Sequence, residues 1–278
     1  MIIDTHCHYN LAPLVDNWPA HWSKAQQHGV TKTIIPGSNF ANSALAVKIA
    51  AKTANLYAAV GVHPHWYTQA AGTTYKQQQK LEQFLAKIKL ELLQLKTICN
   101  KNQVVAIGEI GLDYHSLPAR GKKRTWVIKA QKTAFITQLQ LAQEQQLPVI
   151  IHARDHTDQA YWDVLTILKK HHHAQQALVF HCVSGPKQYL QAILKMNSYL
   201  GFAGNLTYPN AQKLQSILKN TPAQQILLET DAPYLAPQAY RGQTCEPWMI
   251  TATHQLVTKL VISSQQLINN AHQAFQLK

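Results

Sequence analysis

The sequence lacks the features that mark several large classes of protein. It has only four cysteines and no CxxC pair, so nothing indicates a disulfide framework, and reduced thiols in a cytoplasmic protein are the plain expectation. No apolar run approaches the roughly 20 residues needed to span a bilayer. The first residues become polar too early for a secretory signal. We therefore expect neither a membrane segment nor a targeting segment.

Acidic residues are scarce as well. Asp and Glu number 13 against 26 Lys and Arg, which leaves a formal charge of +13. An excess of this kind attracts polyanions through counterion release and long-range steering. It favours a nucleic acid partner over the alternative, a compositional bias towards Lys and Gln at the surface.

What the chain does contain is a regular alternation of short apolar runs and longer helical patterns. The strand-like runs are Met1–His8, Thr31–Pro36, Leu56–Val62, Val104–Gly108, Pro148–His152, Ala177–His181, Tyr199–Ala203 and Gln225–Thr230. They are almost continuously hydrophobic, as strands covered on both faces are. The helical stretches between them are Trp18–His28, Asn42–Thr53, Thr125–Gln146, Asp158–His172, Pro186–Met196 and Asn210–Lys219.

About eight such strand–helix units predict an α/β fold, a TIM-type (β/α)8 barrel. No linker or low-complexity segment divides the chain, so residues 1–278 are predicted to form a single domain. Two further helices, Pro247–Val261 and Ser264–Gln276, are expected to pack on the outside of the barrel. An open doubly wound sheet is the alternative, because a strand count from sequence can err by one or two.

The first strand ends in a group of candidate metal ligands. Side chains alternate along a strand, so Asp4, His6 and His8 are expected to face one side. A His-x-His pair is weak evidence by itself, because the chain has 15 histidines and repeats the pattern elsewhere. The repeats are His63-x-His65 and His171-x-His173, of which we interpret the second as a solvated helix end.

The signal becomes specific when the other strand ends are considered together. Apolar runs end abruptly at Glu109, at His152, at His181 and at Glu229 followed two residues later by Asp231. In a barrel these ends meet at one mouth, where active sites gather. Four histidines (His6, His8, His152 and His181) and two carboxylates (Glu109 and Asp231) converging there indicate a metal centre.

These motifs resemble those of the TatD family of metal-dependent deoxyribonucleases, which belong to the amidohydrolase-type barrels. The matching segments run in the family's order along the chain: Ile3–His8, Gly61–His65, Ile107–Tyr114, Pro148–Asp155, Phe180–Gly185, Glu229–Pro237, and Arg241-Gly242 followed by Glu246-Pro247. The resemblance implies that the metals are held by His6, His8, Glu109, His152, His181 and Asp231. It also implies that Glu109 bridges two ions and that His63, His65 and Arg241 lie near the substrate.

The sequence departs from the family pattern at two places. Cys245 precedes Glu246 where the family commonly has an asparagine, which puts the polar contacts of that loop in doubt. The insert Lys76–Cys99 is more basic and richer in glutamine than expected, and a solvated helix is the default interpretation.

The expected activity is hydrolysis of DNA phosphodiesters, most simply by an exonuclease acting on single strands or ends. Two divalent ions would activate the attacking water. Ligand softness favours Zn²⁺ or Mn²⁺, and the family resemblance also allows Mg²⁺. His6 and His8 are assigned to the first ion and His152 with His181 to the second. Glu109 and Asp231 are the expected catalytic residues, with Asp231 accepting a proton from the water.

Several alternatives stay open at this stage. The same metal site would suit a small-molecule amidohydrolase acting on a lactone, an amide or a phosphotriester, and a non-catalytic nucleic-acid-binding protein is a third possibility. Asp4 is either a partner that orients a ligand imidazole or a buried structural aspartate. Tyr114, Tyr208 and Tyr234 could stack bases, although packing is expected for at least two of them. No obligate protein partner is predicted.

Overall fold

The computed structural model describes residues 1–74, 81–117 and 121–277. Its sheet has eight strands in the order of the sequence, each parallel to the next. The strands are β1 (Ile2–Asp4), β2 (Val30–Pro36), β3 (Leu56–Val60), β4 (Val104–Asp113), β5 (Val149–Arg154), β6 (Leu178–Phe180), β7 (Ser198–Phe202) and β8 (Ile226–Leu228). A hydrogen bond from the Thr5 amide to the Leu228 carbonyl, 3.0 Å, links the last strand to the first. The predicted TIM-type barrel is confirmed.

Helices follow the strands as the periodicity predicted, with ends that shift by a few residues. They are α1 (Trp18–Gln27), α2 (Phe40–Ala50), α3 (Pro64–Thr74), α4 (Leu81–Cys99), α5 (Lys122–Glu144), α6 (Gln159–His171), α7 (Lys187–Leu194), α8 (Gln212–Asn220), α9 (Ile250–Leu260) and α10 (Ser264–Phe275). The sequence reasoning did not find α3. The insert Lys76–Cys99 forms α4 from Leu81 onwards, and residues 76–80 lie outside the described residues.

The barrel interior is a separate apolar core. It contains one inward side chain from most strands, among them Ile34, Ile150, Val179 and Leu227, all almost fully buried. The outer faces of the strands pack against the surrounding helices in a second, larger core. Because both faces are covered, the strands are hydrophobic along their whole length.

The last helix packs only in part on the outer wall: Leu267 of α10 belongs to the outer core, but the rest of its buried face turns to the end of the barrel. Ala271, Ala274 and Phe275 of α10 belong to the same core as the inward side chains of the strands. The helix therefore covers the amino-terminal end of the barrel. Burying this apolar face against the open end of the barrel removes both surfaces from water.

Strand β4 is longer than the run Val104–Gly108 that the sequence suggested. It continues to Asp113 and pairs with β5 up to Arg154. Glu109 therefore lies inside the strand, and Asp113 stands at its carboxyl end. No helix in the described part of the chain is long and apolar enough to cross a membrane, and the four cysteines are free.

Candidate metal centre

The end of β1 brings two histidines together by leaving the regular strand. The carboxylate of Asp4 accepts hydrogen bonds from the Thr230 hydroxyl (2.7 Å), the Thr230 amide (3.0 Å) and the His6 amide (3.2 Å). Asp4 is thus a buried structural aspartate that joins β1 to the chain after β8. Beyond this point the Nε2 atoms of His6 and His8 approach to 3.2 Å.

Glu109 lies at the centre of the cluster, and its two carboxylate oxygens face different histidines. Oε2 is 3.3 Å from Nε2 of His6. Oε1 is 2.7 Å from Nδ1 of His152, 3.4 Å from Nε2 of His63 and 3.7 Å from Nε2 of His181. The carboxylate is nearly fully buried. One carboxylate therefore lies between two groups of imidazoles.

Asp231 completes the group around the β1 histidines. Its Oδ1 atom lies 3.5 Å from Nε2 of His8, 3.8 Å from that of His6 and 3.7 Å from that of His181. The backbone of Asp231 is in the left-handed region, φ 57°, just after β8 has ended. The ring of His181 stacks on that of His6 with 3.7 Å between centroids. His181 thus faces both Glu109 and Asp231.

Glu229 lies on the side of His181 that faces away from Glu109 and Asp231. Its Oε1 atom lies 3.1 Å from Nδ1 of His181 and accepts a 2.6 Å hydrogen bond from the Cys182 amide. Gly201 on β7 leaves room for this carboxylate, because an added Cβ would collide with Glu229 Oε2. A carboxylate on the far ring nitrogen fixes the orientation of a ligand histidine, so Glu229 fits an outer supporting position.

Asp113 is a site residue that the sequence reasoning missed. Its Oδ2 atom lies 3.3 Å from Nε2 of His152, while Oδ1 accepts a hydrogen bond from the His115 amide, 3.0 Å. The available signal was its spacing, since Asp113 is four residues after Glu109 and an even spacing along a strand keeps two residues on the same face. The sequence analysis ended β4 at Gly108, so it did not place Asp113 on the same strand as Glu109.

The surroundings keep both acidic ligand candidates ionised. Burial by itself would raise the pKa of Glu109, but His63, His181 and His6 outweigh it and hold the pKa well below the usual range. The pKa of Asp231 is lowered in the same way by neighbouring histidines, against the effect of burial. Ionised carboxylates are the form that coordinates a cation.

Four of the imidazoles fall into two classes by the direction in which their pKa is shifted. Burial lowers the pKa of His6 and of His63, so both rings are neutral near pH 7. Burial has the same effect on His152, but Asp113 and Glu109 outweigh it and raise its pKa to about 9. Burial also lowers the pKa of His181, but Cys182 and the neighbouring carboxylates outweigh it and raise that pKa well above its usual value. A cation binding at these two residues would displace protons.

The predicted substrate residues are not all at the cluster. His63 is part of it, within 3.4 Å of Glu109, whereas the His65 ring is 6.5 Å from that of His63 between centroids. Arg241 is exposed, and its guanidinium lies over the ring of Tyr208 at 4.5 Å. It stands beside the mouth, on the loop that follows β8.

Of the three tyrosines considered, two pack as expected. Tyr114 is buried and donates a 2.9 Å hydrogen bond to Asp163, and the Tyr208 hydroxyl donates to the Ala236 carbonyl, 2.9 Å. Tyr234 is 54% exposed, and its ring stands edge-on to His8, with the centroids 6.3 Å apart. It is the one of the three that is free to contact a ligand.

The donor set fits divalent metal ions. The ring nitrogens of His6 and His8 face each other at 3.2 Å, and their Nδ1 atoms are buried without a hydrogen-bond partner among the described residues. Imidazole nitrogens are common ligands of divalent metal ions, so a cation between the two rings would satisfy both nitrogens. Three groups of nitrogen and oxygen donors lie within 4.8 Å: His6, His8 and Glu109; His6, His181 and Asp231; and His63, Glu109 and His152.

The fold and this cluster define a class: a (β/α)8 barrel with a histidine- and carboxylate-rich metal centre at its mouth. The family model described as "TatD related DNase" matches residues 3–276. The chain therefore belongs to the TatD family, and the protein is a metal-dependent hydrolase. The resemblance inferred from the motifs is confirmed.

Similar proteins cover almost the whole chain. "Uncharacterized metal-dependent hydrolase YabD" from Bacillus subtilis strain 168 is 31% identical over 260 residues, which is 94% of this chain and 91% of that protein. "Uncharacterized metal-dependent hydrolase YjjV" from Escherichia coli K12 is 30% identical over 99% of this chain and 98% of its own. The crystal structure of YjjV, described as a TatD homolog, superposes with a TM-score of 0.80 at 28% identity, covering 100% of this chain and 98% of that one.

Proposed function

We propose that this protein is a deoxyribonuclease that hydrolyses phosphodiesters at single strands or strand ends with two divalent metal ions. The observation that carries the proposal is the position of Glu109 between two groups of imidazoles, with Oε2 towards His6 and Oε1 towards His63 and His152. A carboxylate shared in this way suits ions roughly 3.5–4 Å apart, the spacing of two-metal phosphodiester hydrolysis.

The ligands divide naturally between the two ions. His6, His8 and Asp231 would hold one ion, His152 and His63 the other, and Glu109 would be shared. His181, at 3.7 Å from both Glu109 and Asp231, is available to either. When bound, the ions lower the pKa of a water molecule and offset charge on the phosphoryl oxygens.

Asp231 is the proposed proton acceptor. Its carboxylate is held ionised by His181, His8 and His6, and its side chain is 13% exposed, whereas that of Glu109 is 5% exposed. An ionised carboxylate that reaches the open side of the cluster can take a proton from an attacking water. Glu109 is enclosed among the histidines and would hold the two groups of ligands at a fixed separation.

Groups around the mouth suit a polyanionic substrate. The exposed ring of Tyr234 stands beside His8 and offers a surface on which a terminal base can stack. Arg241 presents a planar guanidinium, which pairs with two phosphate oxygens. His65 is half-buried and follows β3, two residues after His63, and we assign it to the substrate side of the mouth. The formal charge of +13 would add long-range attraction.

The test compares substrates under fixed metal conditions. Purified protein, stripped with chelator and reloaded with Zn²⁺, Mn²⁺ or Mg²⁺, is given end-labelled single-stranded and blunt duplex DNA, with a panel of lactones, amides and phosphotriesters in parallel. We expect metal-dependent release of mononucleotides from DNA, lost in Glu109→Gln. Turnover of a lactone or amide without any DNA cleavage would instead identify the protein as a small-molecule amidohydrolase.

A further inference from the structure

The rim of the barrel above His152 carries three side chains that the proposed chemistry does not use. They are Arg154, the last residue of β5, and the neighbouring His115 and His156. Side chains alternate along a strand, so Arg154 lies on the same inward side as His152, one step nearer the mouth. Its strand partner is Asp113, two residues before His115.

These side chains are close together and open to solvent. The rings of His115 and His156 have centroids 3.9 Å apart with 38° between their planes. Arg154 and His156 are exposed, and His115 is half-buried. Burial lowers the pKa of His115, and the charges of Arg154 and His156 lower it further, against the opposite effect of Asp113 and Asp155.

The guanidinium of Arg154 forms no ion pair with the described residues, although the carboxylates of Asp113 and Asp155 lie nearby. Over residues 1–74, 81–117 and 121–277, no carboxylate lies within ion-pair distance of Arg154. The adjacent Asp155 accepts hydrogen bonds from the amides of His156 (2.7 Å), Thr157 (3.1 Å) and Ala160 (2.9 Å) at the start of α6. Asp113 is likewise engaged by His152. An exposed, unpaired guanidinium beside a catalytic centre is a ready anion site.

The position of this cluster relative to Arg241 indicates the path that a bound strand would take across the mouth. In a barrel whose strands follow the order β1 to β8, β4 and β5 stand across the mouth from β8 and β1. Tyr234 and Arg241 follow β8, so they lie on the rim opposite Arg154. A strand of nucleic acid cleaved at the centre would cross the mouth from one rim to the other.

We propose that Arg154, flanked by the paired rings of His115 and His156, forms a second phosphate-binding subsite that takes the phosphodiester next to the one being cleaved. This inference rests on the proposed nuclease function and deepens it. The guanidinium binds two phosphate oxygens, and the exposed ring of His156, backed by His115, lies against the attached nucleotide.

A pair of minimal substrates isolates the subsite. A dinucleotide of thymidine has one phosphodiester and a trinucleotide has two, so only the trinucleotide can fill both the metal centre and the Arg154 subsite. A hydrogen bond to a charged group strengthens binding by a factor of about ten or more. We therefore expect kcat/KM of the wild-type protein to rise about tenfold or more from dinucleotide to trinucleotide, at saturating metal and low salt.

The decisive measurement is that ratio in three variants. Arg154→Gln should reduce the rise to about twofold or less, and Arg154→Lys should restore part of it, because Lys keeps the charge without the planar fork. Lys169→Gln removes one exposed charge from the last turn of α6, at the other end of the barrel, and should keep the full ratio.

Each other outcome overturns the subsite. A wild-type protein that cleaves both substrates equally well, an undiminished ratio in Arg154→Gln, or an equal loss in Lys169→Gln would each refute it while leaving the nuclease function intact. Cleavage of neither substrate by the metal-loaded wild-type protein, with no cleavage of longer DNA, would refute the nuclease function itself and the subsite with it.

Discussion

Replacing Asp231 with asparagine separates chemistry from binding at the centre. The Oδ1 atom of Asp231 faces His8, His6 and His181 at 3.5–3.8 Å, so an asparagine of the same shape keeps one coordinating oxygen there. What it loses is the negative charge and the ability to accept a proton. A general base contributes about 10²–10⁴-fold, or about 3–5 kcal/mol in the barrier to reaction.

The assay is single-turnover cleavage of labelled DNA at saturating metal, with metal content measured on the same sample. We expect Asp231→Asn to lower the rate of cleavage by at least 10²-fold, with DNA affinity little changed, because Arg241 and the other mouth residues stay in place. Near-wild-type turnover with a full complement of metal would refute the assignment of Asp231 as the proton acceptor.

A core variant controls for loss of the fold. Leu228, the last residue of β8, is buried at 3% exposure. Leu228→Ala should lower the free energy of unfolding by about 2–5 kcal/mol, seen in thermal or denaturant unfolding, while the folded fraction stays active. If Asp231→Asn behaves in the same way as Leu228→Ala, Asp231 is a structural residue.

The remaining predictions concern the metal centre. Replacing His6 and His8 together with alanine should remove about one of two bound ions per chain, and unchanged metal content on elemental analysis would contradict the ligand assignment. The pKa of His152 is raised to about 9. Its ion pairs therefore stabilise the metal-free protein fully below about pH 6.5, and this stabilisation is lost as the pH rises through about 9. A metal ion, in contrast, binds only the neutral ring. Apparent metal affinity measured by calorimetry should therefore rise with pH over that interval, and a flat profile would contradict the shift. Gly201→Ala, whose methyl group would displace Glu229, should weaken metal binding about tenfold in chelator competition, and an unchanged affinity would show that Glu229 does not support the site.

Residue order alone was enough to predict the architecture and the residue types at the centre. Strands buried on both faces must be apolar throughout. A run such as Ile226–Leu228, which is followed directly by polar residues, therefore indicates both a strand and the point at which that strand reaches the mouth of the barrel. Parallel strands all end at one mouth, so the sequence alone predicts that His6, His152 and His181 lie together. The alternation of side chains along each strand was enough to predict which residues share the inward face.

Local irregularities were beyond that reasoning, because they depend on contacts between distant segments. The period of two assigned Asp4 to the same face as His6, but a hydrogen bond to Thr230 from 226 residues away holds Asp4 apart from the imidazoles. Pairing with β5 extends β4 and brings Asp113 to His152. No pattern within β4 could reveal this, since the partner strand supplies the hydrogen bonds.

The sequence by itself determined the barrel and the chemical character of the candidate ligands, because burial and strand period are local properties. The tertiary structure decided how those ligands are shared. It alone sets Glu109 between two groups of histidines, draws His63 into the centre, and closes the far end of the barrel with α10. It also brings Arg154 above His152 and across the mouth from Arg241. These are relations between strand ends far apart in the chain, and only closure of the barrel defines the distances between them.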